Sequence, residues 1–370
     1  MVTKRRTTAW MLAWLCVLVI VYASLYPFEG WRNQAIEPWF FVGAPWYGHN
    51  TWFDLISNVL GYMPLGFWWC LAAMRSGVSR RRAWVFTALA CSALSFAMEC
   101  TQSFLPMRVP SQLDWGLNSA GGWLGAMLAL VLEQRGGLYR WSQFRAVWLR
   151  HDASGSLVLL VLWPLALLYP VSVPLGLGSV AEPLSKVWLE SPWGSEAPLS
   201  VWLEAWSLTA SPVWVMVCVM LGLWVPGLLA VGVCRRHAQQ LLAVAMVALL
   251  AVAGSGLSAA LTYGPVHAWH WLSAPVVSGL ALGVLCLVVS VRVPWLHAPW
   301  VMVCAQAVGL VLLNLMPVST YFEQTMQTWE QGRFIRFHGL TPWLNWLWPW
   351  LLLAWMAWSF FGAKAHKAAT

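Results

Sequence analysis

Residues 53–74 read FDLISNVLGYMPLGFWWCLAAM. Over these 22 residues the only charged side chain is Asp54, and a helix needs roughly 20 mostly apolar residues to cross the hydrocarbon core of a bilayer. The stretch reads as a membrane span carrying a polar device, Asp54 with Asn58 one turn on. Two later runs have the same build, AWVFTALACSALSFAMECTQSF at 83–104 and LDWGLNSAGGWLGAMLALVL at 113–132. Further apolar runs at about 9–26, 155–173, 211–233, 240–262, 272–291, 298–317 and 342–361 bring the total to ten. The expected fold class is all-α, a polytopic transmembrane helical bundle of about ten spans.

Composition excludes the alternatives. Of 370 residues 60% are hydrophobic and 9% charged, whereas a soluble domain carries about 25% charged residues. The net charge of +8 does not point to nucleic acid, because the basic residues sit in short clusters between apolar runs. They report topology instead. With the N-terminus inside, 16 of the 21 Lys and Arg fall in cytoplasmic segments: Lys4, Arg5, Arg6, Arg75, Arg80, Arg81, Arg82, Arg135, Arg140, Arg145, Arg150, Arg235, Arg236, Arg292, Lys364 and Lys367. The outer segments hold Arg32, Arg108, Lys186, Arg333 and Arg336, and the outer loop near 174–210 carries Glu182, Glu190, Glu196 and Glu204. Both termini are therefore expected in the cytoplasm, and the first run is read as an uncleaved anchor, since it is long for a signal peptide and lacks an A-x-A site. Many of the 31 Trp cluster at run ends, as Trp39, Trp46 and Trp52 do, where an amphipathic ring suits the headgroup level. All eight Cys lie within or at the ends of apolar runs without metal-ligand spacing, so no disulfide framework, metal or cofactor is expected.

Polarity divides the chain. Residues 1–134 form a short-looped four-span domain that holds the buried acids. Residues 135–153 form a basic, Trp-containing cytoplasmic linker that can lie on the membrane surface. Residues 154–370 form a six-span, Trp-rich transmembrane module. An acid at membrane depth costs about 2.5–3.5 kcal/mol on insertion scales, so Asp54, Glu99 and Asp114 stand out. Asp54 and Asn58 are four apart on one helix face, with Gly61 next along it; Glu99 and Gln102 are three apart on the next helix; Asp114 and Asn118 are four apart on the third. Gly121 and Gly125 follow as a GxxxG that permits close helix contact. With the topology above, all three polar faces gather toward the outer leaflet, and the loop LPMRVPSQ adds Arg108 and Ser111. Two readings stay open. The acids and amides can knit the bundle, Arg108 pairing with Glu99 or Asp114, or they can form a ligand or catalytic site.

The segment from DLISNVLGYMPLGF at 54–67 through ECTQSFLPMRVPSQLDWGLNSAGGWLG at 99–125 resembles the VanZ-like membrane proteins. Their pattern sets Asp, Asn and Pro-Leu-Gly on one helix, then Glu and Gln, then Pro, Arg, Ser, Asp and Asn, then Gly. The likeness spans about residues 9–133 and puts the family's characteristic positions at Asp54, Asn58, Pro64, Gly66, Glu99, Gln102, Pro106, Arg108, Ser111, Asp114, Asn118 and Gly121. It implies a cell-envelope protein, in a glycopeptide-resistance or exopolysaccharide context, and names no reaction. The six later spans are an addition to the family's shorter type.

The later spans offer a His267 and His270 pair, three apart in one outer loop, and Glu323, Glu330, Arg333, Arg336 and His338 in another. A lone His pair without a spaced carboxylate is a poor metal site. There is no P-loop, HExxH or GxSxG, so an ATPase, a zincin or an α/β-hydrolase is not supported. The first expectation is a multi-pass protein of the bacterial plasma (inner) membrane that binds a polyprenyl-linked sugar, peptidoglycan precursor or glycolipid through Asp54, Asn58, Glu99, Gln102, Arg108, Ser111, Asp114 and Asn118. Its partners are then membrane lipids, a polyprenyl-phosphate-linked glycan and envelope-assembly proteins, with no nucleic acid. The alternatives are a membrane enzyme with Glu99 and Asp114 as catalytic acid and base or metal ligands, and a non-catalytic scaffold of a polysaccharide-export assembly.

Overall fold

A computed structural model describes residues 8–44, 52–150, 153–181, 184, 187–188, 211–316 and 340–368. Lys4, Arg5, Arg6, Trp46, Lys186, the acids Glu182, Glu190, Glu196 and Glu204, and the stretch with Glu323, Glu330, Arg333, Arg336 and His338 lie outside the described residues. The described chain is helical, without a strand, and divides into two compact units, residues 1–143 and 144–370.

The first unit holds α1 (Thr8–Leu25), α2 (Trp52–Arg75), α3 (Arg80–Gln102), α4 (Gln112–Gln134) and the start of α5 (Gly137–Trp148). Local chemistry sets the ends. Gly77, at φ +88°, stops α2: its N–H reaches Met74 O and that of Val78 reaches Ala73 O, the paired bonds of a Schellman motif. Ser111 starts α4, its hydroxyl accepting the N–H of Asp114 at 3.4 Å. Packing inside the unit depends on small residues. Ala9, Ala72, Ala73, Ala83, Ala126 and Ala129 are buried, while Met11, Leu18 and Leu89 are exposed. Backbones meet directly where α2 crosses α4: a Cβ on Gly66 would strike the backbone of Gly122, and one on Gly121 or Gly125 would strike the carbonyl of Val59 or Met63. Gly61, by contrast, faces open space. Small residues inside and large apolar residues outside suit lipid as the surrounding solvent.

The second unit holds the end of α5, then α6 (Ser154–Ala166), α7 (Pro212–Val233), α8 (His237–Tyr263), α9 (Ala274–Arg292), α10 (Pro299–Leu315) and α11 (Thr341–Ala368). Its centre is α7, which touches α6, α8, α9 and α10. Leu223 and Leu228 of α7 share the core with Trp163, Leu175, Leu287, Trp348 and Leu352.

Each of the ten apolar runs contains a helix. Among the described residues six are long and apolar enough to cross a membrane: Asp54–Arg75, Arg80–Gln102, Gln112–Gln134, Pro212–Val233, His237–Tyr263 and Ala274–Arg292. Ala9–Leu25, Ser154–Ala166 and Pro299–Leu315 are shorter apolar helices. This is the build of a multi-pass membrane protein. The run at 155–173 departs furthest from a plain span. Thirteen helical residues reach about 20 Å, against a hydrocarbon core of about 30 Å. Pro170 and Pro174 then prevent helix, and residues up to Val180 run irregularly with Val173, Leu175 and Leu177 buried. Irregular backbone inside such a bundle needs internal partners, and side chains supply them. Asn314 accepts the N–H groups of Val180 and Ala181 at 2.9 Å each and donates to Gly178 O at 3.0 Å. Ser258 donates to Leu168 O at 3.1 Å and Asn345 to Ala166 O at the helix end at 3.3 Å, while Trp348 donates to Leu159 O within α6 at 2.8 Å.

Candidate functional site

The polar residues of the first unit meet at the end where α2 and α4 begin and α3 finishes. Three successive hydrogen bonds link the three helices. Glu99, on the last turn of α3, accepts the N–H of Ser111 at 2.8 Å; Ser111 Oγ accepts the N–H of Asp114; and Asp114 Oδ1 accepts Asn58 Nδ2 at 2.6 Å. One turn deeper, Asn118 Nδ2 donates to Ser95 Oγ at 3.1 Å. Asp54 lies one turn above Asn58 on α2, half-buried, its carbonyl accepting the Ser57 hydroxyl. Glu99 is 3% exposed and Asp114 7%, whereas Asn58, Ser111 and Gln102 are half-buried.

The remaining two expected residues face α1. Gln102 donates to Ser24 O at 2.9 Å. Arg108 donates through Nη2 to Tyr26 O at 2.6 Å and Ala23 O at 3.1 Å, and through Nε to Tyr26 O at 3.2 Å. These carbonyls end α1, where a cation also meets the negative end of the helix dipole. Arg108 thus fastens the first helix to the α3–α4 loop. The eight expected residues fall into two sets: Asn58, Glu99, Ser111, Asp114 and Asn118 join α2, α3 and α4, with Asp54 at their edge, while Gln102 and Arg108 hold α1.

Several residues at this end were not singled out from the sequence. Ser95, fully buried, partners Asn118. Tyr62, 4% exposed, brings its phenol near Ser95 and Glu99, without a hydrogen bond of good geometry among the described residues. The spacing rule used for Asp54 and Asn58 applies to both, since Tyr62 follows Asn58 by four and Ser95 precedes Glu99 by four. Phe41 carried no comparable signal: it comes from a short 3₁₀ turn, Phe40–Gly43, to fill a fully buried place beside Phe96 and Trp115, at ring separations of 5.6 and 6.4 Å. Gln34 closes the same end by donating to Ser103 O at 2.7 Å.

The arrangement presents acceptors and amides in a protein-lined setting, which suits hydroxyl and amide groups. Among the described residues no three His, Cys, Asp or Glu side chains gather as metal ligands. In the second unit the exposed His267 and His270 meet Nδ1 to Nδ1 at 3.1 Å.

Residues 5–133 match the family model described as VanZ/LLP1. The N-terminal third of the chain is therefore a VanZ-type domain, and the polar end just described lies wholly within it. No curated protein and no solved structure matches the chain.

Proposed function

We propose that the VanZ-type unit is a membrane receptor for the polar head of a lipid-linked envelope precursor, a polyprenyl-linked sugar, peptidoglycan precursor or glycolipid, and that Asp54, Asn58, Ser111 and Asp114 hold it. The observation carrying this reading is the gathering of Asp54, Asn58, Glu99, Ser111, Asp114 and Asn118 from three helices at one end of a unit whose buried core is otherwise mainly apolar and built largely on small residues. Two or three glycines are enough to bring α2 and α4 together; three acids at roughly 2.5–3.5 kcal/mol each are a costly way to add to that packing. A hydroxyl-rich head matches the chemistry, because carboxylates accept from hydroxyls and amides orient them. Asn58 and Ser111 remain half-buried, within reach of a ligand, while Glu99 sits deeper and sets the α3–α4 loop. Gln102 and Arg108 serve as positioning residues through α1.

In this reading the chain makes ten passages of the bacterial plasma membrane with both termini in the cytoplasm, on the strength of the Lys and Arg distribution, and the polar end opens to the outer leaflet. The segment 154–181 makes its passage as a short helix continued by irregular chain clamped by Asn314. The setting is a glycopeptide-resistance or exopolysaccharide system, and envelope-assembly proteins are the expected partners of the second unit.

The test is native mass spectrometry of detergent-purified protein beside Asp54→Asn and Asp114→Asn, both near-isosteric. A co-purifying polyprenyl-phosphate or glycolipid adduct that is lost in both variants, while their melting stays within a few degrees of wild type, is the expected result. An adduct retained in both folded variants would dispose of the receptor reading.

A further inference from the structure

The second unit contains a cavity of about 270 Å³ that no part of the reading above uses. It opens where helix ends converge. Its walls are the start of α6 (Ala153, Ser156), the end of α7 (Leu228 to Val233), the start of α8 (Gln240), the start of α10 (Pro299, Met302), Trp355 of α11, and Arg150.

We propose that this cavity is a binding site for a phosphate group. Four observations lead there. First, Arg150 is fixed at the cavity by backbone pairing: Leu149 and Cys234 form an antiparallel bridge, Arg150 N donates to Val233 O at 3.0 Å, and Arg235 Nε donates to Leu149 O at 2.7 Å. Second, α6 begins here without a side-chain cap and offers backbone N–H groups and a positive dipole end; α10, whose first residue is Pro299, adds a second uncapped positive dipole end. Third, Ser156 lines the cavity at 6% exposure, and among the described residues its hydroxyl makes no hydrogen bond, which leaves a buried donor for an incoming oxygen. Fourth, two of the carbonyls ending α7 already have donors and are not left as bare acceptors facing an anion: Val233 O accepts from Arg150 N, and Val231 O accepts from Cys234 N and from Gln240 Nε2 at 3.4 Å.

Charge points the same way. The two segments that meet here, 145–156 and 231–240, carry Arg145, Arg150, Arg235 and Arg236 against Asp152. A dianion or monoanion of phosphate satisfies an arginine fork, helix-terminal amides and a hydroxyl together, which a neutral ligand does not. Leu228, Leu229, Met302 and Trp355 make the rest of the wall apolar. The phosphate can accordingly belong to a phospholipid head or to free phosphate, and the volume, at the low end for ligand pockets, fits a head rather than a whole lipid. The site lies within the second unit and stands independently of the receptor proposed for the first.

Full-length protein in detergent, stripped of lipid, is titrated with dioctanoyl phosphatidic acid, with dioctanoylglycerol and with inorganic phosphate, and occupancy is read by native mass spectrometry. Phosphatidic acid is expected to bind at least about tenfold more tightly than dioctanoylglycerol, with about tenfold lost in Arg150→Gln and several-fold in Ser156→Ala. Ser156→Ala deletes only an unbonded hydroxyl, so it reports even if Arg150→Gln fails to fold. Competition by inorganic phosphate would assign the site to the free anion, and its absence to the lipid head, both keeping the phosphate assignment. Equal binding of phosphatidic acid and dioctanoylglycerol, or wild-type binding in every folded variant, would overturn it.

Discussion

Gly121→Ala is the sharpest probe of the contact on which the polar end depends. An alanine Cβ at 121 would be built into the carbonyl of Val59, and ordinary van der Waals contact begins only at 3.4 Å. The α2 and α4 backbones must therefore part by about 1 Å or more, since neither a helix carbonyl nor a Cβ can rotate away. Asn58, adjacent to Val59, donates to Asp114 at 2.6 Å. The same opening stretches that distance to about 3.6 Å, beyond hydrogen-bond range. Overpacking costs roughly 1–3 kcal/mol and a lost bond to a charged group roughly 1.5–3 kcal/mol. Because one movement causes both, we expect a combined loss of about 3 kcal/mol. Equilibrium unfolding in mixed detergent, followed by circular dichroism, measures it. Gly61→Ala is the matched control on α2: its Cβ enters open space, and replacing a helical glycine there is expected to be neutral or to stabilise by about 0.5–1 kcal/mol. A Gly121→Ala protein as stable as wild type, or two substitutions of equal effect, would refute the backbone-contact geometry.

Two further outcomes follow from the side-chain clamps. Arg108→Lys keeps the charge but not the fork that reaches Ala23 O and Tyr26 O, so about 1–2 kcal/mol of local stability is lost and amide exchange in residues 20–26 rises; unchanged exchange there would contradict the role given to Arg108. Asn314→Leu removes the acceptor of Val180 and Ala181 and the donor to Gly178, leaving buried backbone groups unpaired at roughly 1–3 kcal/mol each. Proteolysis near residues 175–181 should then accelerate, and resistance equal to wild type would show that other groups hold this segment.

Much of the fold was legible because lipid imposes a one-dimensional rule. A helix that must hide its own backbone in hydrocarbon reveals itself by apolar length alone, and every one of the ten runs contains a helix. The rule fails where side chains from elsewhere do the hiding. The run at 155–173 is apolar enough to pass for a span, yet its second half, broken by Pro170, is irregular and has backbone satisfied by Ser258 at Leu168, while Asn314 does the same for the chain just beyond it; both lie more than 80 residues away in sequence. The candidate site was partly legible for a related reason. Spacing of four residues places Asp54 with Asn58 and Asp114 with Asn118, and the GxxxG at Gly121 and Gly125 indicates a close neighbour. Spacing does not say which neighbour: that Gly121 meets Val59, and that Cys91 lies against Gly122, are facts of three-helix packing.

The sequence by itself therefore determined the solvent, the helices and which residues share a helix face, because each is settled by a residue and its near neighbours. Only the tertiary structure decided partners. It directed Arg108 to the carbonyls of α1, joined Glu99 to the start of α4, set Tyr62 beside Ser95, and brought Arg150, Ser156 and two uncapped helix ends around one cavity. Hydrogen bonds and cavities depend on ångström distances between residues far apart in the chain, and only the packed helices set those distances.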